Sequence, residues 1–298
     1  MNLTPQQARS RTLKAAGIAA LAGMVSTMLG VGGGVVMVPL FALLGVMRVK
    51  RAAGTSLVVI VVVVAVGLAA QLIHEPSDVH WTAAGILAVG ALAGTVIGEK
   101  LHKVLPEMPF RYAFCAVLIL IGARMLNVIP ETQPIIGTEF DVTSAGHVLF
   151  LVGVGLFAGG VGAMFGLGGG VVIVPMLTLA FAYFHDEFTA TRATSLAVIL
   201  PTSLLSAVLH WRGANVEKPL ALRIMPLAAL TSVSGVWLAY IVPQPALKAT
   251  FAVLLLLATL RLMRKRKSPM PGESLEISDA TTGKNVYTSP PADQIEGR

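Results

Sequence analysis

One cysteine, Cys115, in 298 residues excludes an intrachain disulfide and any metal or redox site built on paired thiolates. Charge is scarce as well: 12% of residues are charged, against roughly 25% in a soluble chain. That scarcity excludes a soluble helical protein with a solvated polar face. Aromatic residues reach only 6% and do not alternate with the basic ones, so the net charge of +7 does not describe a nucleic-acid groove. No Gly-Lys-Ser/Thr ending follows the glycine-rich stretches, and no acidic residue sits about 20 positions beyond them, which excludes phosphate-loop and dinucleotide readings. No Gly-x-Ser-x-Gly elbow is present, so a hydrolase pairing Ser56 or Ser195 with a histidine has no motif behind it. Nothing in the composition calls for a cofactor or a metal.

What the chain has instead is apolar length. Hydrophobic residues make up 55% of it and its mean hydropathy is +0.79. Residues 53–73 and 81–98 carry no charge over 21 and 18 positions. Each run is long enough to cross a hydrocarbon core about 30 Å thick at about 1.5 Å per residue. The lipid bilayer is therefore the chain's first partner.

The chain also repeats itself. Residues 22–40, AGMVSTMLGVGGGVVMVPL, return as residues 158–176, AGGVGAMFGLGGGVVIVPM, with twelve of nineteen positions identical at a spacing of 136. Five apolar segments are read in each half: 13–29, 35–47, 54–73, 81–101 and 110–128, then 147–165, 171–184, 193–209, 219–241 and 247–263. These give a cytoplasmic N-terminus at 1–12, membrane repeats at 13–129 and 145–264, and an acidic linker at 130–144. Residues 265–298 are polar, rich in Pro and Gly and read as a disordered cytoplasmic tail, its last four residues resembling a protease-site remnant. The first apolar run leads directly into the repeated motif, so no cleavable signal peptide is expected.

Loop charge sets the orientation. Arg48, Lys50 and Arg51, and Arg264 to Lys267, fall on one side, which the positive-inside rule makes cytoplasmic; Glu75, Asp78 and the linker fall on the other. Five segments per half is an odd number, so the second half is inverted relative to the first. The expected fold is an all-α polytopic membrane protein of two inverted repeats, with glycine-broken or re-entrant helices at their interface.

Both repeats keep a Gly-x-Gly-Gly-Gly break where a lipid-facing helix should be continuous. Segments 35–47 and 171–184 are too short to cross comfortably alone. Each is either the return arm of a hairpin that dips to mid-depth or one of a tilted pair of crossings. Non-helical backbone at membrane depth must be buried in protein or line a wet cavity. Glycine accepts positive φ there, and successive N–H groups at a helix start form an anion-binding concavity. Such a nest holds an anion without a buried lysine or arginine. Close helix packing is the competing role for the same glycines.

Near the breaks, Thr55-Ser56 and Thr194-Ser195 open the third segment of each half, where their hydroxyls either complete a ligand shell or bond their own helix. Arg51 and Arg192, just before these pairs, are candidates for attracting an anion at opposite entrances. His74 and His210, matched at the 136-residue spacing, are candidates for proton coupling, because histidine's ordinary pKa lies near neutrality.

At these residues the chain resembles the sulfite exporter TauE/SafE family, also called the TSUP family. The resemblance spans about residues 13–263 and rests on GVGGGVVMVPL and GLGGGVVIVPML, AAGTSLVVI and ATRATSLAVIL, and ALAGTVIGEKL. It implies transport of small sulfur-containing anions (sulfite, thiosulfate, sulfoacetate or another organosulfonate) across the bacterial cytoplasmic membrane. It also implies substrate contacts at Gly30, Gly32, Gly33, Gly34, Gly166, Gly168, Gly169 and Gly170, with Thr55, Ser56, Thr194 and Ser195. Ala193 stands where the first copy has Gly54, so the half-sites need not be equivalent. The residues themselves suit chloride, formate or a carboxylate equally well. A secondary transporter working by alternating access is the expected function, an anion channel its rival, with proton coupling and oligomeric state left open.

Overall fold

The computed structural model describes residues 5–47, 49–101, 119, 122, 141, 143–212, 216–263, 275–278 and 285–288. The chain forms two units, Met1–Met263 and Arg264–Arg298. Within the second, Leu275–Ser278 pairs antiparallel with Asn285–Thr288. The fifth expected segment at 110–128, with Cys115, Arg111 and Arg124, and most of the linker at 130–144, lie outside the described residues.

Among the described residues the first unit consists of helices and their connections. Its helices are α1 (Pro5–Leu29), α2 (Gly34–Leu43), α3 (Val49–His74), α4 (Trp81–Leu101), α5 (Ala145–Phe165), α6 (Gly170–Ala180), α7 (Ala182–Asp186), α8 (Phe188–Arg212), α9 (Lys218–Ile241) and α10 (Gln244–Met263). Among the described residues, six are long and apolar enough to cross a membrane: α1, α3, α4, α5, α8 and α9. Large apolar side chains such as Val89, Leu149, Leu222, Leu230 and Leu257 point outward, as a lipid-facing surface requires. The protein is an all-α, multi-pass membrane protein.

α1 and α5 end the same way. Gly30 and Gly166 both take φ +70°, and the next amide turns back on the helix: Val31 N–H donates to Ser26 O at 3.1 Å, Leu167 N–H to Gly162 O at 3.1 Å. This is a Schellman stop, and glycine fits it because a Cβ is penalised at positive φ. Gly33 and Gly169, at φ +70° and +78°, then start α2 and α6. These helices have 10 and 11 residues, about 15 Å each. Both are packed inside the protein along most of their length.

The two halves interlock rather than sit side by side. α4 lies along α5, with Gly90, Gly94 and Gly98 meeting the backbone of Val152, Leu156 and Gly160, so the two run parallel. Gly155 and Gly159 return the contact against Leu87 and Ala91. α9 lies parallel to α1, from the Arg11–Glu217 ion pair (2.6 Å) to Thr27 Oγ–H donating to Ser232 O at 2.6 Å. α3 follows α9, with Thr55 beside Glu217 and Gln71 beside Tyr240. α8 follows α4, with Thr194 beside His80 and His210 beside Glu99. Tyr240 meets both the end of α3 and, through Arg192, the start of α8, so those two run opposite ways.

Candidate functional site

At the centre the two glycine loops cross in direct contact. A Cβ on Gly34 would overlap the carbonyl oxygen of Gly166, and one on Gly170 would overlap that of Gly30. A Cβ on Gly32 would lie 3.4 Å from Gly168 Cα, and one on Gly168 would lie 3.5 Å from Gly32 Cα. Both loops are buried. The same contacts recur with the halves exchanged: Gly30 abuts the backbone of Arg192, and Gly166 abuts that of Ala53.

The hydroxyls of the third segments hold this crossing. Ser195 Oγ–H donates to Gly30 O at 2.8 Å, and Ser56 Oγ–H is shared between Ala53 O (2.8 Å) and Gly166 O (3.2 Å). Thr55 Oγ1 accepts from Glu217 N–H at 3.0 Å and Thr194 Oγ1 from His80 N–H at 3.1 Å, each satisfying an amide just before the next long helix. Removing Ser195's hydroxyl strands the buried Gly30 carbonyl. Ser195→Ala is expected to cost about 1–3 kcal/mol. Ser56→Ala is expected to cost less, because its shorter bond lies within its own helix. Thermal unfolding in detergent measures both, and the reverse order would contradict these assignments.

Beside the second loop lies a cavity of about 10 Å³ to the centre of a water-sized sphere, room for about one water. Gly168 and Gly169 form one wall; Thr95, Thr202, Ser203 and Ser206 bring hydroxyls to it. Three of these bond carbonyls of their own helices: Thr95 to Ala91 O, Thr202 to Val198 O and Ile199 O, and Ser203 to Leu200 O. One turn beyond Ser206, His210 Nδ1 lies 3.0 Å from Ser206 O and 2.8 Å from Glu99 Oε1. Both neighbours accept, so Nδ1 carries the hydrogen.

The charged candidates separate. Arg51 is exposed at the start of α3. Arg192 is fully buried, four residues inside α8, and among the described residues it is the one buried Lys, Arg, Asp or Glu. An entrance position for Arg192 is therefore replaced by an interior one. His74 is exposed and packs against Trp237 and Tyr240, with ring centroids 4.8 and 4.2 Å away. It is not the counterpart of His210. The exchanged contacts of Ser56 and Ser195 fix the α3-to-α8 offset at 139, which puts Gln71 opposite His210.

A family model described as "Sulfite exporter TauE/SafE" matches residues 2–125 and 151–292. The chain belongs to the sulfite exporter TauE/SafE family. It is 27% identical over 227 residues to "Probable membrane transporter protein YunE" of Bacillus subtilis, covering 69% of this chain and 80% of that one. A "Probable membrane transporter protein" of Haemophilus influenzae is 26% identical over 264 residues, 83% of this chain and 96% of its own. "Probable membrane transporter protein MamO" of Magnetospirillum gryphiswaldense is 31% identical over 113 residues, 36% of this chain and 18% of MamO. No solved structure gives a significant match. Family and relatives together make this a membrane transporter.

Thr95, Thr202, Ser203 and Ser206 escaped the sequence reading, although a signal existed. Thr202, Ser206 and His210 recur every four residues in a run that is apolar but for Ser203, and Thr95 and Glu99 share the same spacing. Four-residue spacing puts each set on one helix face.

Proposed function

We propose that the protein is a secondary transporter for a small sulfur-containing oxyanion (sulfite, thiosulfate or an organosulfonate), working by alternating access across the bacterial cytoplasmic membrane. The observation that carries this reading is the buried crossing of two broken helices. Irregular backbone at such depth is tolerated where it serves a cavity, and paired helix breaks mark substrate sites in repeat-built transporters. The opposite directions of α1 and α5, of α3 and α8, and of α4 and α9 support inverted-topology repeats. With α1 entering from the cytoplasm, α2 returns to the same side as a hairpin whose tip is the first glycine loop.

Not every glycine has the same work in this reading. Gly34 and Gly170 make the crossing possible by lacking a Cβ. Gly168 and Gly169 present backbone to the hydroxyl-lined cavity, which lies on the path the substrate takes. The first loop has no equally open counterpart: Gly67 stands opposite Ser206 at the 139-residue offset, and Thr27 fills the space against it.

Proton coupling in this reading belongs to the His210–Glu99 pair, one helical turn from the cavity, rather than to His74. His210→Gln and Glu99→Gln are expected to keep downhill anion exchange while reducing the stimulation by an imposed pH gradient to less than about a third. An unchanged pH response in both variants would remove the pair from the mechanism.

The test of function is uptake by purified protein in liposomes, using labelled sulfite, thiosulfate and a small organosulfonate with and without a pH gradient. Saturable uptake of one of them, competed by the others, is the expected result. Folded protein that carries none of them would overturn the substrate class.

A further inference from the structure

The guanidinium of Arg192 is fully buried, yet two of its three nitrogens, Nε and Nη2, have no hydrogen-bond partner. Its third, Nη1, donates to Thr27 O at 3.4 Å, and its Cζ lies over the ring of Tyr240, 4.9 Å from the centroid. The nearby carboxylate, Asp78, is engaged elsewhere: Tyr240 Oη–H donates to it at 2.6 Å and Gln71 Nε2–H at 3.3 Å. Among the described residues no carboxylate lies within salt-bridge distance of Arg192. Buried charges are ordinarily paired, and an arginine at membrane depth marks a substrate or ion path. Which nitrogens are free decides what could pair with this one. Nε and Nη2 form the side edge of the guanidinium, where two N–H bonds point the same way and match two oxygens of one anion.

Resting on the transporter reading above, we propose that Arg192 clamps the substrate by that edge. The clamp requires an anion with two terminal oxygens on one centre, as sulfite, thiosulfate and sulfonates have. Chloride is a single acceptor atom that both N–H groups must share, so it lacks the two parallel bonds. The site therefore selects by oxygen geometry, which the glycine loops alone do not do. It is also single: the position exchanged with Arg192 across the crossing is Ala53, so one anion is clamped per chain. Arg192 abuts Gly30 through its backbone, which ties the clamp to the first loop and lets loop movement open or close access to it.

The test uses the full chain in detergent, following thermal unfolding against sulfite, thiosulfate, methanesulfonate and chloride at matched ionic strength. The oxyanions are expected to raise the midpoint saturably while chloride does not. Arg192→Lys keeps the charge and loses the fork, and it is expected to weaken oxyanion binding about 10- to 150-fold, the worth of one charge-assisted hydrogen bond. Chloride protecting the unaltered protein as well as the oxyanions do would overturn the clamp. So would Arg192→Lys binding oxyanions as tightly as the unaltered chain. If the variant does not fold, the comparison of anions on the unaltered protein still decides. Liposome flux separates the two claims. Oxyanion flux that survives Arg192→Lys with unchanged KM removes the clamp and leaves the transporter; binding without any flux removes the transporter and leaves the clamp.

Discussion

Alanine at Gly34 or Gly170 is expected to leave little folded protein, whereas alanine at Gly33 or Gly169 is expected to leave a folded protein, with transport lost in the Gly169 variant. The four glycines lie in the same two loops and differ in what a methyl group would meet. At Gly34 and Gly170 it would overlap a backbone carbonyl of the other loop, which has no rotamer to escape into. The loops would have to separate, at a cost above about 4 kcal/mol, in the extreme tail for single substitutions. At Gly33 and Gly169 the nearest atoms are 3.3 and 3.2 Å away, and the main penalty is the positive φ of +70° and +78°. That penalty is about 1–2 kcal/mol per residue. The methyl on Gly169 also alters the cavity wall, which is why its flux is expected to fall. Size-exclusion profiles and thermal midpoints of the four variants read out the first effect, and liposome uptake the second. Equal destabilisation at all four positions would contradict the division between packing and site.

The second large effect belongs to the seam between α4 and α5. Gly94→Ala or Gly159→Ala would drive a methyl into the carbonyl of Leu156 or Ala91, where the helices touch backbone to backbone. Small residues permit this approach in membrane helices, and van der Waals contact is what holds such pairs together. Either variant is expected to lower the thermal midpoint by more than 10 °C, roughly what a loss above 4 kcal/mol implies for a domain of this size. Gly85 and Gly153 lie in the same two helices with nothing within 4 Å of their added Cβ, so they are the controls. Alanine there is expected to be neutral or stabilising by up to about 1 kcal/mol, since glycine is the poorer helix former. Destabilisation at Gly85 matching that at Gly94 would mean that helix propensity, not the seam, is being measured.

Much of this was legible in the sequence, for identifiable reasons. Charge-free runs of membrane length announce α3 and α4, and the duplicated glycines announce the stops of α1 and α5, because a helix end needing positive φ leaves a residue-specific mark. The interlock was not legible. Gly90, Gly94 and Gly98 show that some backbone comes close, but nothing in their spacing says that it belongs to the other half. Arg192 looked like a loop residue because it precedes Thr194-Ser195. α8 begins at Phe188, a full turn earlier, and that turn carries the guanidinium indoors. His74 and His210 were paired by the 136-residue spacing of the glycines, yet the connection from α6 through α7 to α8 is three residues longer than its counterpart. A three-residue shift moves a side chain most of a turn along its helix, enough to place one histidine at the rim and the other beside Glu99.

Counterflow in liposomes tests the central claim, a carrier exposing one oxyanion site to each side in turn, most directly. Vesicles loaded with unlabelled thiosulfate or sulfite are placed in trace labelled anion, and uptake is compared with that into empty vesicles. A carrier predicts a transient accumulation of label above equilibrium, driven by the outward gradient and saturable in the anion. Label that only equilibrates, at a rate linear in concentration and indifferent to the internal anion, would show a channel and contradict the account.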